Sequence, residues 1–349
     1  MKFGRRHLDL VQGYVPGEQP QEEGFIKLNT NENPYPPSPR VVKVLTRISP
    51  DRMRKYPDPV FRRLRQKIAL AYGVRPAQVF VGNGSDEVLS LLVRTFVDPD
   101  EKVLFTYPTY VLYETLARLN AVEHEAIELD AQFDLSEEVF RSSGKLFFIA
   151  NPNSPTGKPV KSDVIRRLCD SFAGLVVADE AYADFSDTSS IPILSECPNL
   201  VILRTFSKAF SLASIRVGFA LAAEDVIADL MKTKDSYNVN LLSQLAAEAA
   251  IEDIEYMREN ARKIVQTRER MSASLRGLGF TVYPSGANFV LTKYNDNASP
   301  LYEELKRRKI LVRYFPIRRL ENCLRISVGT DAEVDALLTE LGDIVRSGQ

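Results

Sequence analysis

The chain has 349 residues, 44% hydrophobic and 26% charged, with a formal net charge of −1. That balance excludes a global field suited to nucleic acid or an anionic membrane surface. The two histidines, His7 and His124, lie in no metal-ligand or triad spacing. The three scattered cysteines, Cys169, Cys197 and Cys323, fit a reducing cytoplasm rather than a disulfide framework.

Residues 1–28 are polar and punctuated by Gly13, Pro16, Gly17 and Pro20, which reads as an irregular arm. The first residues lack the apolar centre of a signal peptide, and no run is long enough to span a membrane. Asn29 to Pro39 is rich in Asn and Pro and reads as a loop. From Asp58, the apolar residues Val60, Phe61, Leu64 and Ile68 predict a helix. Strand-like runs then alternate with helical patterns. They are Val79 to Val81, Lys102 to Phe105, Leu146 to Ala150, Leu175 to Ala178, Leu200 to Leu203 and Val217 to Leu221. Continuous apolar runs between helices predict an α/β fold with a mostly parallel sheet covered on both faces. A long helical pattern follows from Leu241 to Leu275. Strands are expected at Phe280 to Tyr283, Asn288 to Leu291, Ile310 to Arg313 and Leu324 to Ser327, with helices at Pro300 to Arg308 and Asp331 to Val345. This last portion reads as a smaller α+β unit.

Five turns that each follow a predicted strand carry the chemistry. Gly82-Asn83-Gly84-Ser85-Asp86 opens a helix. Its glycines and free N–H groups suit a phosphate, although Ser85 or Asp86 would serve equally as a plain cap. A carboxylate repels phosphate, so Asp86 would contribute its backbone N–H. Tyr110, beyond the next strand, is placed to stack on an aromatic ring. Asn151-Pro152-Asn153-Ser154-Pro155-Thr156-Gly157 holds an amide able to donate to a phenolate oxygen. Asp179 ends another strand, and a buried carboxylate needs a cation such as a protonated pyridine nitrogen; a helix cap is the alternative. Tyr182 lies three residues on, within reach of a ring hydroxyl. Last comes Ser207-Lys208, with Arg216 eight residues after the lysine. An amine beside a hydroxyl and a guanidinium suits an aldehyde that also carries a phosphate: Lys208 forms the Schiff base, while Ser207 and Arg216 hold the phosphate. If the turns gather at one sheet edge, they form one site.

These motifs resemble the fold-type I aminotransferases that use pyridoxal 5′-phosphate (PLP), over nearly the whole chain. Within that superfamily the chain is most similar to the histidinol-phosphate aminotransferase family. That similarity rests on Gly13-Tyr14-Val15-Pro16-Gly17, Lys27 to Tyr35, Arg54-Lys55-Tyr56-Pro57-Asp58 and Leu324-Arg325-Ile326-Ser327-Val328-Gly329. The resemblance implies an arm over 1–28, a large PLP domain over 29–245 and a small α+β domain over 246–349. It implies Lys208 as the base moving a proton at the substrate carbon, with Asp179 and Tyr182 at the pyridine ring and Tyr110 stacked on it. Ser85, Asp86, Ser207 and Arg216 would take the phosphate, with Tyr56 reaching in from a second subunit of a homodimer. Tyr14, Asn33, Arg313 and Arg325 would meet the substrates, an amino donor and 2-oxoglutarate. One departure stands out. The family commonly has Asn directly before Pro-Thr-Gly, where this chain has Ser154, with Asn153 one position earlier. Either Asn153 reaches the ring oxygen, or Tyr182 carries that bond with Ser154. Three rivals share the cofactor residues: an aromatic aminotransferase, a PLP decarboxylase of a phosphorylated amino acid, and a sensor module of a transcription regulator. The last would carry a DNA-binding domain where only a short arm is found.

Overall fold

The computed structural model describes residues 3–11, 13, 17–20, 22–295 and 297–347. Its strands are β1 (Ile26–Lys27), β2 (Val79–Gly82), β3 (Lys102–Tyr107), β4 (Glu123–Glu128), β5 (Leu146–Ala150), β6 (Leu175–Asp179), β7 (Leu200–Thr205), β8 (Gly218–Leu221), β9 (Thr281–Val282), β10 (Phe289–Lys293), β11 (Ile310–Leu311), β12 (Arg313–Tyr314) and β13 (Cys323–Ser327).

Seven strands form one sheet in the order β2-β8-β7-β6-β5-β3-β4. Every residue of β5 and β7 is buried. That explains their unbroken apolar character: helices cover both faces of the sheet, so no position alternates outward. β8 is antiparallel to both neighbours, whereas β3, β4, β5, β6 and β7 run parallel. β2 therefore shares the direction of β7. The turns after β2, β3, β5, β6 and β7 all emerge at one edge. Because β8 runs the opposite way, Arg216, just before its start, arrives at that same edge.

β4 and the long helix differ from the sequence reading, and the strand expected at Ile310 to Arg313 is split between β11 and β12 of two different sheets. β4 is an edge strand of sequence Glu-His-Glu-Ala-Ile-Glu in which Ile127 alone is buried. Charge protects an exposed sheet edge, and it also removes the apolar signal of a strand. The helix expected from Leu241 to Leu275 is two helices, Leu241–Ile251 and Ile254–Gly277. The break falls at Asp253, whose carboxylate accepts from the Ser38 hydroxyl and lies 3.6 Å from the Arg40 guanidinium.

The C-terminal part builds a four-stranded antiparallel sheet in the order β12-β13-β10-β9. The end of the arm is not wholly irregular: β1 pairs in parallel with β11, Ile26 opposite Ile310. The loop after β1 consequently reaches both sheets. Asn31 hydrogen-bonds to Tyr182 beyond β6 and to Ser327 on β13.

Candidate active site

Lys208 sits in a tight turn after β7. Phe206, fully buried, returns its N–H to the Val217 carbonyl at 3.0 Å, and Leu212 N–H closes onto Phe206 O at 3.0 Å. The lysine amine is left half-buried, donating to Thr30 O at 3.3 Å and lying 5.4 Å from the Tyr182 ring centre. Asn33, expected at the substrate, is instead committed to this turn. Its amide donates to the carbonyls of Lys208 (3.2 Å) and Ala209 (3.0 Å).

The residues expected at a phosphate converge. Ser85 opens the helix Ser85–Phe96, and that helix start presents free N–H groups. Arg216 donates to the Ser207 hydroxyl at 3.4 Å and to the Asp86 carboxylate at 3.0 Å. Gly84 takes φ +80°, and a Cβ there would stand 2.6 Å from the Arg216 guanidinium. Glycine is required for both the conformation and the close approach. Tyr110 donates its hydroxyl to the other Asp86 oxygen at 3.3 Å, so the Asp86 side chain is engaged by one cation and one donor.

Asp179, at the end of β6, is 6% exposed. Its carboxylate accepts from the Tyr113 hydroxyl at 2.8 Å and from Ala181 N–H at 3.2 Å. Burial pushes its pKa up to about 6, against the pull of those two donors. Burial and the neighbouring carboxylate push the Tyr113 phenol well above its ordinary range. A carboxylate so placed favours a cationic partner. Just behind it lies a buried ion cluster: Arg204 is 2.8 Å from Glu180 and 2.9 Å from Asp184, which fixes the segment carrying Tyr182.

Asn153 does not offer its amide to the site. It donates to Pro108 O (3.0 Å) and Thr156 Oγ1 (2.9 Å) and accepts from Thr109 Oγ1 (2.7 Å), holding two turns together. Ser154 accepts from Arg325 at 3.1 Å. Arg325 also donates to Asn29 O at 2.9 Å, and its guanidinium lies 5.2 Å from the Phe289 ring and 5.3 Å from the Phe315 ring. Arg313 on β12 is the register partner of Arg325 and lies 5.4 Å from the same Phe315 ring. Tyr56 is 79% exposed and stacks on Tyr237 with centroids 4.4 Å apart. Tyr14 lies outside the described residues.

Sequence reading missed Tyr113 and Asn31. Tyr113 was hidden among the apolar residues of the helix Leu112–Asn120, although its ring packs edge-on against Tyr110 with centroids 5.7 Å apart. Asn31 is 1% exposed and holds φ +57°, a left-handed backbone uncommon outside glycine.

The donor set fits PLP. A helix start, a hydroxyl and a guanidinium receive a phosphate, a lysine amine stands beyond them, and a buried carboxylate waits at the end of the adjacent strand. The comparisons agree. The profile of the aminotransferase class I and II family matches residues 23–341. The histidinol-phosphate aminotransferase of Microcystis aeruginosa is 45% identical over 333 residues, covering 95% of each chain. That of Synechocystis sp. is 46% identical over 335 residues, covering 96% of each. Among solved structures, the histidinol-phosphate aminotransferase of Sinorhizobium meliloti in complex with pyridoxal-5′-phosphate superposes with a TM-score of 0.86. It is 27% identical, with 93% of this chain and 91% of that chain covered.

Proposed function

The chain belongs to the aminotransferase class I and II family, and from that premise we propose that it transfers the amino group between L-histidinol phosphate and 2-oxoglutarate. It is a transaminase and its cofactor is PLP. When bound, PLP supplies an electron sink for charge that develops at the substrate's reacting carbon. The rest is the work of this chain's own residues. Ser85 and Asp86 N–H groups, Ser207 and Arg216 bind the cofactor phosphate. Asp179 holds the pyridine nitrogen in its protonated form, and that cation in turn favours the ionised carboxylate. Tyr110 covers the ring, and Tyr182 directs its hydroxyl at the ring oxygen. Lys208 anchors the cofactor and moves the proton at the reacting carbon.

The substrate reading rests on one observation, the register pairing of Arg313 with Arg325. Like charges directly opposite on a sheet destabilise it. An anion lying between the two guanidiniums relieves that repulsion. Arginine binds carboxylate and phosphate with the same fork, so one pocket serves both partners of a ping-pong cycle. The reading includes a cytoplasmic homodimer, supported by the exposed aromatic patch of Tyr56 (79%) and Tyr237 (44%), with Met53 and Leu242 also exposed. Among the described residues no helix is long and apolar enough to cross a membrane.

The test is the absorbance spectrum of PLP-loaded protein given L-histidinol phosphate alone. Loss of the lysine-bound band with growth of the pyridoxamine band is the expected result. Conversion by phenylalanine or tyrosine but not by L-histidinol phosphate would replace the substrate. Carbon dioxide release from a phosphorylated amino acid would replace the reaction.

A further inference from the structure

No spacing in the sequence singles out Asn31, yet it bonds to both sides of the site. Its backbone N–H donates to the Ser327 hydroxyl oxygen at 2.9 Å, and the Ser327 hydroxyl lies 2.9 Å from Asn31 Oδ1. The serine oxygen accepts from the backbone N–H, and the serine hydroxyl donates to Oδ1. That fixes the orientation of the Asn31 amide: Oδ1 faces Ser327, and Nδ2 faces Tyr182, donating to its hydroxyl oxygen at 3.0 Å. The Asn31 carbonyl is held in turn by the Asn288 amide at 3.0 Å. Tyr182 therefore receives a hydrogen bond on its oxygen, and its proton is left to be donated elsewhere. Its ring is set edge-on to Phe289, 5.1 Å between centroids, with the Lys208 amine 5.4 Å from its own centre.

We propose that Asn31 is a positioning residue: the Ser327–Asn31 relay sets the direction of the Tyr182 hydroxyl proton so that it donates into the site. The inference rests on the reading that the site holds PLP, whose ring oxygen is the acceptor. The backbone supports the assignment. Asn31 is buried and keeps a left-handed φ of +57°, a conformation that costs energy and persists where surrounding bonds over-determine it. Asn and Asp tolerate that conformation better than other side chains.

Asn31→Asp is the decisive substitution. It keeps shape and backbone tolerance, but a carboxylate has no N–H. It accepts from Tyr182 and turns the phenol proton away from the site. Lys208, Asp179, Tyr113, Arg325 and Glu32, together with the Arg204–Glu180–Asp184 cluster that flanks Tyr182, are left unchanged. The measurement is the pH midpoint of the visible band of PLP-loaded protein, followed in wild type, Asn31→Asp, Tyr182→Phe and the double variant. A donor lost from an anionic oxygen favours the protonated form, so Asn31→Asp raises the midpoint by about one pH unit. In the Tyr182→Phe background at most half of that shift remains, the part due to charge alone. Ser327→Ala, which changes no charge, raises the midpoint in the presence of Tyr182 and leaves it unmoved in its absence; it carries the test should Asn31→Asp fail to fold. For both variants kcat falls while KM for the amino donor holds. Equal shifts with and without Tyr182, or no shift, overturn the relay while the cofactor reading stands. A wild-type protein that gains no visible band when loaded with PLP overturns the cofactor reading, and the relay with it.

Discussion

Removing the charge of Asp179 should stabilise the cofactor-free protein. The folded carboxyl is pushed up to about 6 by burial, from an ordinary value of 3.8. The folded chain thus holds this proton more tightly than the unfolded chain. The burden is absent below about pH 4, grows as pH rises towards 6 and is constant above it. A rise of about two pH units, at about 1.36 kcal/mol for each, makes the burden about 3 kcal/mol at pH 7.5. Asp179→Asn abolishes it. The amide satisfies one of the two donors, Tyr113 or Ala181, less well, a loss of about 1 kcal/mol. The cofactor-free variant should therefore be about 2 kcal/mol more stable than wild type at pH 7.5. At pH 4.5, where most of the folded wild type is protonated, the gap should close to near zero. Urea unfolding of both cofactor-free proteins at the two pH values measures it. A variant no more stable than wild type at pH 7.5, or a gap that does not narrow in acid, would refute the reasoning. Adding PLP should reverse the order, because the ionised carboxylate then has its cation, and the variant should transaminate far more slowly.

Arg216→Ala should weaken PLP binding about 10- to 100-fold in equilibrium titration, the worth of one lost charge-assisted contact, while the Ser85–Phe96 helix keeps its circular dichroism. Arg204→Met should cost about 3–5 kcal/mol in urea unfolding, since it strands the buried carboxylates of Glu180 and Asp184. Replacing the cluster as a whole, with Glu180→Leu and Asp184→Asn added, should recover most of that loss.

The sheet and the gathering of its turns were legible because a strand buried on both faces leaves a continuous apolar run, as Leu146 to Ala150 and Leu200 to Leu203 do. Lys208, Asp179 and Tyr182 stood out in the sequence because each sits a short distance beyond such a run, and Arg216 because it directly precedes one. What stayed hidden depends on contacts distant in sequence. Asn31 and Ser327 are 296 positions apart, and no local spacing relates them. Asn33 and Asn153 have the right chemistry and lie in the right turns. Their amides are nevertheless spent on backbone carbonyls at Lys208, Ala209 and Pro108. Residue type alone does not say which way an amide faces. β4 was hidden for the opposite reason, a strand whose charges answer to its edge position rather than to any core.

The placement of the arginines and of the relay follows from one strand. Arg325 and Ser327 are two apart on β13 and share a face of its sheet. Arg325 reaches the Ser154 turn and Ser327 reaches Asn31. β10 locks the register from the other side, with Leu291 opposite Arg325 and Phe289 opposite Ser327. Phe289 in turn supports both the Arg325 guanidinium and the Tyr182 ring, at 5.2 and 5.1 Å. In the proposed reading, the arginine that meets the substrate anion and the serine that orients Asn31 therefore ride on one strand, Cys323–Ser327.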